Sequence, residues 1–327
     1  MQIRQLGKNG PRVSALGLGC MGMTPIYSTP DPDEASATIR AAVDQGINLI
    51  DTADMYGGGK NEELVGRALT GIRDQVVLAS KFGNMRLPDG TRRVNGKPDY
   101  VFEACDKSLK RLGVDHIDLY YLHRVDPTVP IEDTVGAMGQ LVERGKVRFI
   151  GLSEAGADTI RRAQATHPLA AIQTEYSLAT RDVEDDILPT CRELGIGFVA
   201  YAPLSRGLLT GKITSLDQLG ANDRRRDMPR FSDENLENNL KLVDAIATVA
   251  ESKGVSTAAI SIAWILSRGK DIVPIPGCSR RVTLEDALSA VGVQFSDNDL
   301  EKIDTALEQV KVVGTRYPAK QMQRLGL

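Results

Sequence analysis

Asn48-Leu49-Ile50-Asp51-Thr52-Ala53-Asp54-Met55-Tyr56-Gly57 decides how this chain folds. A short apolar, β-prone run stops at an aspartate. After a turn, Leu64, Val65, Ala68 and Leu69 share one face of a helix. That is one strand-then-helix unit, and it recurs. Further apolar runs lie at 15–19, 76–81, 117–123, 147–153, 170–175, 197–202 and 271–276. Amphipathic segments separate them; in the first, Ala35, Ile39, Ala42 and Val43 share a face. Repeated β-then-α order implies a parallel sheet, because parallel neighbours need a crossover helix. Roughly eight such units without a break predict an α/β fold, a closed (β/α)8 TIM barrel forming one domain over 1–327.

Local signals support the parsing. Asp33 precedes the first helix and Pro98-Asp99 opens the third. Gly46, Gly113, Gly145, Gly195 and Gly254 stand where helices end in left-handed caps. Residues 2–4 and 12–14, around Lys8-Asn9-Gly10, predict an N-terminal β-hairpin on the barrel floor. Two long βα loops, 83–97 and 204–235, follow strands on the face where barrel enzymes keep their sites, which makes them candidate lids.

Forty basic against 43 acidic residues leave a net charge of −3, too little field to attract nucleic acid or acidic lipid. Cys20, Cys105, Cys191 and Cys278 are far apart and read as reduced, buried thiols. The N-terminus lacks a signal-peptide core, and no apolar run approaches the roughly 20 residues that span a bilayer. A cytoplasmic protein with no nucleic-acid or membrane partner is expected; oligomeric state stays open.

Gly17-Leu18-Gly19-Cys20-Met21-Gly22 fits a G-x-G-x-x-G fingerprint. That pattern needs a helix opening at its last glycine, and Pro25, Pro30 and Pro32 follow instead. A Rossmann dehydrogenase is therefore set aside. The strand ends carry a better constellation: Asp51 and Tyr56 after the second, Lys81 at the third, His123 at the fourth. In a barrel these ends converge on one mouth. A lysine ammonium there lowers a tyrosine pKa from about 10, Asp51 keeps Lys81 charged, and His123 polarises a carbonyl or assists proton delivery. Together they make a general acid for an oxygen that becomes an alkoxide. Singly, each has a plainer reading as a loop cap, surface aromatic, solvated charge or core histidine. Asp223-Arg224-Arg225-Arg226-Asp227 reads as a solvated loop segment, with a lid touching phosphates as the other reading.

With these residues in place, the chain resembles an aldo-keto reductase along almost its whole length, especially the pyridoxal-reductase-like and auxin-induced-type branch. The motifs are Asp51 to Gly57, Leu122-His123-Arg124-Val125-Asp126, Gly151-Leu152-Ser153-Glu154, Gln173 to Leu178, Tyr201 to Gly211 and Pro274 to Gly277. The resemblance implies NADPH-dependent reduction of aldehydes or ketones, reversible to alcohol oxidation with NADP+. It makes Tyr56 the proton donor, with Lys81, Asp51 and His123 around it. Ser153 and Gln173 would hold the nicotinamide carboxamide, and Tyr201 would stack on the ring. Leu204, Ser205, Gly207 and Leu209 would follow the pyrophosphate, and Gly277, Ser279 and Arg280 the 2′-phosphate. Met21 and Asp286 would complete the cofactor groove, while Met55 and Met21 both fall near the substrate mouth. Arg281 is a second candidate for the phosphate. Glu154 stands where many relatives carry Asn, and Ala179 where close ones carry Trp, which would leave room over the substrate. A nonenzymatic NADPH-binding sensor or auxiliary subunit is the alternative from another class.

Overall fold

The computed structural model describes residues 1–86 and 91–327. An antiparallel hairpin opens the chain: β1 (Ile3–Gln5) pairs with β2 (Arg12–Ser14). Eight parallel strands follow. These are β3 (Leu18–Gly19), β4 (Leu49–Asp51), β5 (Val77–Phe82), β8 (Ile117–Leu122), β9 (Val147–Ser153), β10 (Ala171–Glu175), β11 (Gly197–Tyr201) and β12 (Ile272–Ile275). Each pairs with its sequential neighbour, so every inner strand is flanked by two others and its backbone N–H and C=O groups are satisfied within the sheet. The ring closes where Gly19 bridges Gly277 and the Gly17 and Gly19 N–H groups donate to Pro274 and Pro276 at 2.9 and 3.0 Å. A closed sheet has no edge, and the predicted TIM barrel is the fold.

Helices α1 (Pro32–Asp44), α2 (Lys60–Ala68), α3 (Pro98–Leu112), α4 (Ile131–Glu143), α5 (Ala157–Thr166) and α6 (Ile187–Leu194) take the crossovers. After β11 come α7 (Asp233–Lys253) and α8 (Thr257–Ser267), then α9 (Arg281–Ser289), α10 (Asp297–Gln309) and α11 (Ala319–Met322). The large core lies between strands and helices, with Trp264, Tyr120 and Phe82 sealed in it. A smaller cluster of Leu49, Ala79, Leu119, Tyr121, Val199 and Val273 fills the barrel interior. α1 starts two residues earlier than read, because Pro32 occupies its first turn and Asp31, not Asp33, caps it. The 83–97 loop carries a hairpin of β6 (Asn84–Arg86) and β7 (Arg92–Val94); the part of that candidate lid at 87–90 lies outside the described residues. No helix of the described residues is long and apolar enough to cross a membrane.

Candidate active site

β4 and β5 are adjacent and parallel, which sets Asp51 and Lys81 side by side at the mouth. The buried Lys81 ammonium donates to the Asp51 carboxylate and, at 2.8 Å, to the Thr52 carbonyl. Asp51 Oδ2 accepts from Gln173 Nε2 at 2.8 Å. His123 directly follows β8, where its N–H donates to the Phe82 carbonyl at 2.8 Å. The Tyr56 ring stands edge-on to His123, centroids 5.8 Å apart, and Lys81 Nζ lies 5.2 Å from the Tyr56 ring centre. The four residues picked from sequence thus meet.

Electrostatics here is governed by burial. It pushes the Tyr56 phenol well above its ordinary value, aided by Asp51 and opposed by the Arg124 guanidinium. This corrects the expectation of a lowered tyrosine: Lys81 is already paired to Asp51, so desolvation of the phenolate wins. Lys81 itself is lowered by burial, with Asp51 pulling the other way. Burial, then Arg124 and Lys81, hold His123 well below the usual histidine range, so its imidazole is neutral; Nδ1 is buried and unpartnered.

Around the mouth, the strand ends supply a groove. Ser153 closes β9 and Tyr201 closes β11. After Tyr201 the backbone is left-handed at Ala202, Ser205, Arg206 and Gly207 (φ 48°, 46°, 59° and 96°). Within the turn the Ser205, Gly207 and Leu209 N–H groups already donate to backbone carbonyls, at 2.8, 2.9 and 3.2 Å, so the left-handed residues fold the loop tightly back on itself. Leu204, Ser205, Gly207 and Leu209 belong to this turn. Past β12, Gly277 has almost nothing near the position of a Cβ, its nearest neighbour being the Gly19 carbonyl at 3.9 Å. Ser279 is half-buried, and exposed Arg280 caps the start of α9, making no ion pair among the described residues. Arg281, by contrast, is fastened to Glu34 at 2.8 Å. Asp286 accepts from Ser256 at 2.6 Å, and Met21 sits in a 3-10 turn at the end of β3. An open glycine and an arginine without an ion pair among the described residues, at a helix start, suit a ligand carrying phosphate.

A family model, "Aldo/keto reductase family", matches residues 15–308. A probable aldo-keto reductase 1 from Glycine max is 45% identical over 317 residues, 96% of this chain and 91% of that one. The chain belongs to the aldo/keto reductase family. Among solved structures, a glycerol dehydrogenase from Gluconobacter oxydans superposes with a TM-score of 0.87 at 29% identity, covering 96% of this chain and 97% of its own. A thermostable aldo-keto reductase solved with the inhibitor epalrestat gives 0.75 at 28%, covering 94% and 100%. This aldo/keto reductase is therefore an oxidoreductase acting on carbonyl or CH–OH groups, in a family that uses nicotinamide cofactors.

Several side chains of this aldo/keto reductase depart from the sequence reading. Gln173 spends one N–H of its amide on Asp51, at 2.8 Å, a bond the sequence did not announce. Glu154, left-handed at φ 57°, accepts from Arg316 at 2.8 Å and from the Glu175 N–H at 3.1 Å. Ala179 is buried in the Ser177–Thr180 turn among core side chains, so its small size opens no visible room over the substrate. The 223–227 run is solvated only in part: Arg226 and Asp227 are exposed, but Asp223 is buried, and Arg225 bonds Asp223 at 2.6 Å and the Arg206 carbonyl at 3.2 Å while lying over the Tyr27 ring. The sequence reading also missed a charged layer at the mouth. Glu175 is gripped by Arg206 at 2.6 Å and Arg230 at 3.4 Å, and Tyr317 bonds Tyr201 hydroxyl to hydroxyl at 3.2 Å. Arg124 joins them, and its only signal was its place beside His123.

Proposed function

We propose that this reductase converts aldehydes or ketones to alcohols with NADPH, and that Tyr56 supplies the proton. The carrying observation is the meeting of Tyr56, Lys81, Asp51 and His123 at one strand-end mouth. A nicotinamide cofactor in the groove supplies the hydride. Tyr56, kept protonated by burial, donates its O–H to the carbonyl oxygen. The neutral His123 has one ring N–H to give the same oxygen as charge develops. Asp51 fixes Lys81, and Lys81 compensates the negative charge Tyr56 takes on when its proton leaves. Preference for NADPH follows from Arg280, the guanidinium at the α9 start that no carboxylate claims; Arg281, held by Glu34, is less available.

One experiment tests the reading. Tyr56→Phe is titrated with NADPH and NADH by fluorescence and assayed with mixed aldehydes. Turnover should fall by at least about 10²-fold, as for loss of a general acid, with NADPH affinity kept and NADH bound more weakly. Near-normal turnover sinks the Tyr56 assignment, and equal affinity for the two cofactors sinks the NADPH assignment.

A further inference from the structure

The mouth holds more positive charge than its own carboxylates neutralise. Lys81 is paired with Asp51, Arg206 and Arg230 with Glu175, and Arg316 with Glu154. Arg124 has no acidic partner among the described residues. Its one engaged arm, Nη1, donates to two neutral oxygens, the His123 carbonyl at 2.6 Å and Ser153 Oγ at 3.3 Å. Nε and Nη2 make no hydrogen bond among the described residues and are not among the sealed, unsatisfied atoms, so this edge keeps some access. That free edge carries two parallel N–H groups, the fork that matches a carboxylate. Its place is equally specific: Arg124 follows His123 on the same strand end and is electrostatically coupled to the Tyr56, Tyr201 and Tyr317 hydroxyls.

We propose that Arg124 is a substrate-binding residue that recognises a carboxylate on the carbonyl substrate, selecting oxo acids over neutral aldehydes and ketones. A half-buried guanidinium whose hydrogen bonds go only to neutral oxygens, with Glu154 acting on it from a distance, keeps charge that a bound anion can pair. The Nη1 bonds to His123 and Ser153 hold the fork still, so little side-chain entropy is lost on binding. Tyr317, whose ring lies 4.4 Å from the Arg206 guanidinium and whose hydroxyl bonds that of Tyr201 at 3.2 Å, is close enough to act electrostatically on Arg124. This inference rests on the carbonyl-reduction reading, with the carboxylate lying a few bonds from the reacting carbon.

The test compares 4-carboxybenzaldehyde with methyl 4-formylbenzoate, a pair of similar shape differing in charge. Wild type should favour the acid in kcat/KM by at least about tenfold, and Arg124→Gln should lower that ratio by roughly ten- to a hundredfold, the worth of a charge-assisted hydrogen bond. Arg124→Lys should recover part of it, because charge returns without the fork. A second arm needs no variant and no reduction: with NADP+, which has no hydride to give, wild type should bind 4-carboxybenzaldehyde at least about tenfold more tightly than methyl 4-formylbenzoate, by the same conversion. Equal binding of the two overturns the proposal. So does an unchanged ratio in Arg124→Gln, and so does a variant that loses NADPH affinity while keeping the ratio, which would place Arg124 on the cofactor. Failure of the underlying reaction shows differently, as Tyr56→Phe retaining turnover of both aldehydes.

Discussion

Asp54 sits between Asp51 and Tyr56, and its Oδ1 is buried without a partner while its N–H donates to the Lys81 carbonyl at 3.0 Å. Burial first, and the neighbouring Glu62 second, push its carboxyl up to about 8. An unfolded aspartate ionises near pH 4. Between those values the unfolded chain has released a proton that the folded chain keeps, so stability falls as pH rises from about 4 to about 8 and then levels. Asp54→Asn keeps the shape without the titration. Its gain in unfolding free energy over the parent should therefore grow with pH across that window, as read by urea unfolding at several pH values. Parallel stability curves would mean that Asp54 is ionised in the folded protein. At this scale the sequence disclosed Asp51, Tyr56, Lys81 and His123 because each stands at or just after the end of a strand. It did not disclose Asp54 or Arg124, since burial of a charged side chain leaves no mark on local composition.

The turn between β4 and α2 delivers Tyr56, and its geometry is stricter than a run of glycines implies. Gly57, Gly58 and Gly59 are all left-handed, with φ of 57°, 65° and 94°. The sequence reads as freedom after Tyr56; the structure spends that freedom on one fixed shape. A Cβ on Gly58 would meet nothing within 4 Å, whereas one on Gly59 would lie 2.7 Å from Arg111 Cδ. Arg111 cannot simply swing away, because its Nε holds the sealed Glu62 at 2.6 Å, and Glu62 also accepts from Ser80 at 2.5 Å. Gly58→Ala should cost about 1–2 kcal/mol of left-handed strain. Gly59→Ala should cost more and lower kcat further, because crowding is added and the α2 start shifts under Tyr56. Equal midpoints of thermal unfolding for the two variants would remove Arg111 from the account. Strand order, hairpin and most helix ends were legible from period and caps; handedness inside this turn was legible only as permission.

Across the whole molecule, the chain that follows α10 returns to the mouth and ties distant strand ends together. The Val313 N–H and carbonyl bond the Asn239 side chain on α7 at 2.7 and 2.9 Å. Arg316 reaches Glu154 beyond β9, Tyr317 reaches Tyr201 on β11, and the Gly326 N–H donates to the Glu154 carbonyl at 3.0 Å. None of this was readable in advance, because 310–327 has no period and these partners lie 74 residues away or more. The barrel, by contrast, is built from neighbours in sequence, which is why its order could be read. The Arg316–Glu154 pair is buried on both sides, so its parts are unequal in consequence. Arg316→Met leaves a sealed carboxylate with one backbone N–H for company, and breaking such a pair costs about 3–5 kcal/mol. Arg316→Met with Glu154→Leu removes both charges and should regain most of that loss, since apolar replacement of a buried pair is often neutral. The cycle is completed by Glu154→Leu and read by urea unfolding, with amide exchange at 314–327 as a local probe. If the pair is the anchor of this segment, exchange there accelerates in both variants lacking Arg316, while global stability separates them. Additive losses in the double variant would instead mean that Arg316 and Glu154 act on separate parts of the fold.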